Sequence, residues 1–460
     1  MRRSVVPVLV LAVLLVRVPA EARGGDLDPR FGRGGRSALA DLGGFEQASA
    51  LAVQRDGAIV VVGTTGSTDR LGRRQLDLAM ARYRSDGSLD RTFSSDGKAK
   101  FDLGGTDQPQ AVAVTPSGSI IVTATRTHAS GSSDLVVVRL RGNGALDPSF
   151  GVGGVRVLDI GLPGASAEAA GVVVQPDGNI VVGGTVTEHV VVPDRVNSTI
   201  GQFLLARLDR SGALDPTFGT AGLTILPVDG ALDRMVALLR RADGSLVAVG
   251  NSSGGSTRGI LLARFMPSGQ LDPTFGTLGT VKTVEQTGGI LGYGWLEAAA
   301  AAFDEHGRIL VAGAHYFAFL TVDRSLLVAR YLADGKLDPS FGSKGISQPY
   351  HKQADATSIS VRPGGKLVTA ATQGSCALFS CDFRPLVLGL TGTGALDGGF
   401  GSGGAATMPA GIGGVAAITL QAGRPVVAGY VETTADCYFC FFGPDTVTTN
   451  EDLALVRYAS

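Results

Sequence analysis

Three groups of side chains in this sequence have the chemistry to bind something. The first is six carboxylates, Glu46, Asp107, Glu168, Asp233, Glu297 and Asp355, each standing ahead of a short turn by nearly the same interval. Oxygen donors recurring in this way would suit a hard cation such as Ca²⁺. They would equally accept backbone N–H groups of their own tight loops. A position repeated along a chain is most simply explained by a task repeated along it, so loop capping is expected, with no metal and no other cofactor. The second group is Cys376, Cys381, Cys437 and Cys440. Local disulfides, 376 with 381 and 437 with 440, are expected for an exported chain with an even cysteine count. A bridge between the two pairs and a Cys₄ zinc site are the alternatives. The third group is aromatic: Tyr293, Trp295, Tyr316, Phe317, Tyr438 and Phe439 crowd the late, variable segments and are the candidate ligand-binding residues. Such side chains bind sugar rings, peptides or other proteins, or else bury themselves to order a long loop. Catalysis finds little support, since the histidines lack metal-ligand spacing. Gly-x-Ser-x-Gly, His-Glu-x-x-His and phosphate-loop motifs are also absent from the sequence.

The elements that must position these groups are repeats. The stretch Gly-Ala-Leu-Asp-Pro-Ser-Phe-Gly at 144–151 returns in variant form, placing the aspartate of its Leu-Asp pair at Asp28, Asp90, Asp147, Asp215, Asp272, Asp338 and Asp397. A spacing of about 60 residues signals a repeat architecture. Within one unit, Ala111–Val114 and Ile120–Thr123 flank Pro116-Ser117-Gly118, two β-rich runs about a turn. A third run, such as Leu135–Leu140, precedes the Leu-Asp-Pro turn, and a fourth, such as Val155–Ile160, closes the unit. No segment keeps a 3.6-residue period, so helices should be scarce. The reading is an all-β chain: a seven-bladed β-propeller of four-stranded blades. Residues 36–42 supply an unpaired fourth-type strand and the last unit stops at a third-type strand ending at Tyr458. Pairing the N-terminal strand with the C-terminal strand would close the ring and remove both sheet edges.

The units resemble the delta-60 repeat family of bacterial secreted proteins. The resemblance rests on the Asp-Gly turns (Asp56-Gly57, Asp177-Gly178, Asp243-Gly244), the Asp-Leu that opens strand three (Asp77, Asp134, Asp452), and the Leu-Asp-Pro-x-Phe-Gly run. Ser94 and Gly398-Gly399 depart from that pattern. The resemblance implies a propeller and brings no general catalytic motif.

Both kinds of short turn fall on one face, which leaves the variable connections, and any site, on the other. The chain carries 40 basic and 41 acidic residues, a balance that argues against gripping nucleic acid or a membrane surface. Residues 1–22 read as a signal peptide: Met1-Arg2-Arg3, an apolar run over 5–16, and Ala20-Glu21-Ala22. Residues 23–460 are then a single propeller, secreted, periplasmic or at the cell surface, with no membrane span and a monomeric state expected. The expected function is a binding or scaffold module for a protein or carbohydrate. The alternative is a lyase or hydrolase of extracellular polysaccharide on the same fold.

Overall fold

The computed structural model describes residues 23–460 except 69–73, 191–197, 227–231, 255–256, 286–287, 290–291, 319–321, 378–379, 407, 410 and 433–450. The proposed signal segment, Tyr438, Phe439, Cys437 and Cys440 lie outside the described residues. Among those described there are only strands and turns, and no helix long and apolar enough to cross a membrane.

Every hairpin expected from the repeats is present as an antiparallel pair, from Phe45–Val53 with Ile59–Thr68 to Ile412–Gln421 with Arg424–Glu432. Continuous apolar runs explain their second strands, which are covered on both faces. Runs such as Ile59–Val62 and Ile120–Val122 are wholly buried, and the Asp-Gly turns place glycine at positive φ, 81° at Gly57. The sheets depart from uniform sets of four. The strands of units three and four join into one eight-stranded sheet through a single parallel bridge, Gly201 to Leu232. A two-residue strand, Gly288–Gly289, adds to unit five. The last sheet has three strands. Beside it the expected strand at 36–42 appears as separate bridges, Arg36 to Val456 and Ala40 to Leu453, with Leu27 to Tyr458 before them. The ladder is interrupted because Ser37 answers Leu455 partly with its side chain: Leu455 N–H donates to Ser37 Oγ at 2.9 Å.

A feature not anticipated is a bulge inside the first strand of every unit, between Ala48 and Ala50, Pro109 and Ala111, and at matching places thereafter. One extra residue reverses the alternation of faces, so the strand presents different sides before and after it. The six carboxylates sit on the early side, within strand one and not in the loop ahead of it, as at Glu46 in Phe45–Val53 and Asp107 in Thr106–Val114. Three bulges are held by a side chain of the preceding unit: Ala169 N–H donates to Thr125, Met235 N–H to Thr185, and Ala298 N–H to Asn251.

The core is divided between neighbouring units. One apolar cluster joins Phe150 and Leu135 of unit two to Ala169 and Val182 of unit three, and further clusters repeat this across the later junctions. The first strands touch in sequence, each against the next, and Ile412–Gln421 touches Phe45–Val53.

Candidate functional site

The turn face is built from one repeated clamp. In unit three, Arg207 of strand three lies with its guanidinium carbon 4.9 Å from the Phe218 ring centroid. Its Nε donates to Asp215 at 2.8 Å, Nη2 to Thr217 at 2.7 Å, and Nη1 to the Pro267 carbonyl of the next unit at 3.0 Å. Arg82, Arg139, Arg264, Arg330 and Arg457 repeat the arrangement, the last reaching the Ser85 carbonyl. The turn phenylalanines Phe31, Phe93, Phe150, Phe218, Phe275, Phe341 and Phe400 are all fully buried. The Phe218 ring lies so close to Gly269 of the following unit that a Cβ there would come within 2.7 Å of it. The Asp215 and Asp272 carboxyls are held below the usual carboxylate range, first by the hydroxyls of Thr217 and Thr274 and then by those residues' N–H groups. Each accepts three hydrogen bonds and faces an arginine, which leaves little acceptor capacity for a ligand.

The loop face differs. Trp295 and Tyr316 are directly opposite across an antiparallel pair, their rings 4.9 Å apart and 2° from parallel. Tyr293, 60% exposed, also stacks with Trp295 at 5.5 Å and 23°. Alternation along the strand puts residues 293 and 295 on one side, which makes the ladder possible. The Arg258 guanidinium covers Trp295 at 5.7 Å, and Trp295 Nε1 donates to Glu297 at 2.8 Å. Phe317 is exposed and points away from the stack, being the next residue along the strand.

Arg258 and Glu297 also line a cavity of about 450 Å³. Asp233, Asn251, Thr187 and Arg234 contribute to its wall, a lining rich in donors and acceptors. The structure thus gathers Tyr293, Trp295, Tyr316, Glu297, Asp233 and Glu168 into one region, and leaves Glu46 and Asp107 elsewhere on the face. Arg258 and Arg234 were not singled out in the sequence, and Asn251 stands out there only as the start of an Asn-Ser-Ser glycosylation pattern read as exposed loop. They sit at the ends of strands two and three and before the bulge of unit four, where nothing in their own spacing marks them.

The six carboxylates do not share one environment. Glu46 and Asp107 are fully buried, Asp233 nearly so, and Glu168, Glu297 and Asp355 are half-buried. Burial pushes Glu46 up to about 7, opposed by the Thr65 hydroxyl and the Gly44 N–H and aided by the nearby Asp452 and Asp41 charges. Burial likewise raises Asp107 to about 6 against the Leu103 N–H. Asp233 and Asp355 are also raised, by burial first. Asp355 is bonded by Arg324, and Glu168 lies 3.3 Å from Arg234. Own-loop bonds of the expected kind are present at Glu46 and Asp107, from Gly44 N–H at 3.1 Å and Leu103 N–H at 2.7 Å. Cys376 and Cys381 are directly opposite in backbone register on adjacent strands.

Residues 54–93, 115–150, 175–218, 241–275 and 307–341 match the model of a family described as "Domain of unknown function (DUF5122) beta-propeller". With the antiparallel sheets, these matches make the chain a β-propeller repeat protein. Among solved structures it is similar to the polysaccharide lyase Uly1, at 11% identity and TM-score 0.49 over 93% of this chain and 92% of that one. A protein of unknown function from Dyadobacter fermentans is similar at 12% identity and TM-score 0.39, over 92% and 99% of the two chains. The GH43_1 enzyme from Xanthomonas citri, solved with xylose, follows at 9% identity and TM-score 0.35, over 92% and 90%. No curated protein matches the sequence.

Proposed function

We propose that this chain is a secreted β-propeller module that binds carbohydrate on its loop face, without catalysis of its own. The observation that carries the reading is the Tyr293–Trp295–Tyr316 ladder standing against a polar cavity through Arg258 and Glu297. Flat aromatic faces match the apolar C–H faces of pyranose rings, and the adjoining amide, guanidinium and carboxylate groups match ring hydroxyls. A peptide or protein ligand would use the same aromatic anchors. The test is a glycan array followed by titration calorimetry with the wild type and Trp295→Ala. Retention of defined glycans and at least a tenfold loss of affinity in the variant are expected, with the melting temperature nearly unchanged. An array without a positive, or affinity indifferent to Trp295, sinks the proposal.

One observation favours the second reading, an enzyme acting on polysaccharide: Glu168, Asp233 and Glu297 line one cavity, and Asp233 is raised as a general acid would be. Against it, Glu297 is held by Trp295, Glu168 by Arg234, and Asp233 is buried. Release of reducing ends or unsaturated products from polysaccharide would establish this reading in place of the first.

The same proposal takes the architecture to be seven blades in a closed, monomeric ring. The cyclic contact of first strands, the Leu27, Arg36 and Ala40 bridges, and the Arg457 bond to Ser85 all support it. Export rests on the basic and apolar start of the sequence and its Ala-x-Ala site. In the exported chain the opposed register of Cys376 and Cys381 supports a local disulfide, which non-reducing peptide mapping checks: free thiols there would refute it.

A further inference from the structure

Among the described residues, two places bring three carboxylates together, and their sequences match. Asp-Leu-Gly-Gly-Phe-Glu at 41–46 and Asp-Leu-Gly-Gly-Thr-Asp at 102–107 each lead into a first strand. A strand-three aspartate completes each set: Asp452 joins Asp41 and Glu46, and Asp77 joins Asp102 and Asp107. Within a set, one oxygen from each residue lies within 4.8 Å of the others.

The sets differ in what neutralises them. Asp77 is ion-paired with Lys100 at 2.8 Å, so the second set already holds a cation. In the first, the nearby Lys98 ammonium donates to the Asp41 backbone carbonyl, and its own ion pair is with Asp96 at 3.7 Å. Glu46 is 0% exposed. Its Oε1 accepts from Gly44 N–H and from Thr65 Oγ at 2.8 Å, whereas its Oε2 is buried and has no donor. Asp452 Oδ1 is buried without a donor as well, its only help being the Lys98 charge and, while Glu46 keeps its proton, a hydrogen bond from that carboxyl. A carboxylate withdrawn from water needs a hydrogen bond or a counter-charge, and here two such oxygens stand beside a third, exposed carboxylate.

We propose that Asp41, Glu46 and Asp452 bind a hard divalent cation of the calcium class. The donors are all oxygen, which favours such an ion over zinc or copper. Asp41 is exposed, so the ion has a route in and room for water to complete its shell. Because Asp41 and Asp452 come from opposite ends of the chain, the ion would tie the termini together. Binding to the folded state alone would then stabilise it by mass action.

The test is calorimetric titration of CaCl₂ into the full chain stripped with chelator, with thermal melts in parallel. The wild type should take up a single Ca²⁺ and gain about 3 °C at saturation. Glu46→Gln and Asp452→Asn should weaken binding at least tenfold, and Asp107→Asn should leave it unchanged. Asp41→Asn changes an exposed side chain and keeps the test valid if the buried variants misfold. Absence of binding heat with no calcium-dependent melt would overturn the proposal. So would uptake unaffected by Asp41→Asn and Asp452→Asn, or uptake abolished by Asp107→Asn.

Discussion

On the turn face, Asp215 accepts from Arg207, Thr217 Oγ and Thr217 N–H, and its pKa is lowered. On the loop face, Asp107 accepts one bond, from Leu103 N–H, keeps Oδ1 buried without a donor, and its pKa is raised. The contrast extends to their neighbours. Asp90, Asp147, Asp272, Asp338 and Asp397 are lowered, whereas Glu46, Asp233, Asp355 and Asp452 are raised. Both sets recur along the repeat, so recurrence alone does not separate structure from function. The separating quantity is unused hydrogen-bonding capacity. The turn acids have most of theirs filled, whereas Glu46, Asp107, Asp233, Asp355 and Asp452 each keep a buried oxygen without a donor.

The largest test of this division is Phe218→Ala. Its ring is fully buried between units three and four, beneath Arg207 and against Gly269. The substitution should cost about 3–5 kcal/mol, the range for deleting a core aromatic, and should lower the denaturation midpoint without selectively weakening glycan binding. An unchanged midpoint would mean that the turn face does not carry the stability assigned to it.

Arg207→Met comes next. It keeps much of the apolar stem and removes the bonds to Asp215, Thr217 and the Pro267 carbonyl. A loss of about 2 kcal/mol is expected, as for charge-assisted bonds in a partly buried site. Unit six shows how the clamp can be rebuilt. Gly389 replaces the strand-three arginine, and a Cβ there would collide with the Phe400 ring. Arg362 covers Phe400 at 4.9 Å instead, and Lys366 bonds Asp397 at 2.9 Å. Arg362→Met should therefore match Arg207→Met in urea melts. A much smaller effect would mean that the substitute clamp is idle.

The hairpins and the Leu-Asp-Pro turns were legible because local chemistry specifies them: short β-rich apolar runs, glycine at positive φ, proline at a turn start. The clamp arginine was passed over in the sequence, although one stands eight residues before five of the seven turn aspartates, as Arg139 does before Asp147; it looks like an ordinary exposed strand residue until the ring stacks on it. The bulges were not legible, since the bulged residues, among them Ser49, Gln110 and Val236, share no chemistry. The Trp295–Tyr316 stack depends on cross-strand register. The meeting of Asp41 with Asp452 depends on the two chain ends being brought together, which no local pattern encodes.

The smallest expected effect is also the most diagnostic, because its sign differs between the faces. Asp107 has a folded pKa of about 6, raised by burial, against about 3.9 when unfolded. A raised pKa means that the folded state holds its proton more tightly. The contribution to stability is complete below about pH 4 and is lost as pH rises through about 6. Asparagine keeps an acceptor for Leu103 N–H and never takes the charge. In chelator, Asp107→Asn should therefore gain roughly 1 kcal/mol on the wild type between pH 4 and pH 8. That is a discounted share of the energy involved, since each tenfold change in proton affinity corresponds to about 1.4 kcal/mol. Asp215 has a lowered pKa, so its contribution is present above about pH 4 and is lost as pH falls through its folded value. Asp215→Asn should thus cost most at neutral pH and least in acid. Urea melts of both variants across that range should give difference curves favouring the first variant, and disfavouring the second, more strongly as pH rises. Parallel curves would show that the two faces do not treat their carboxylates differently.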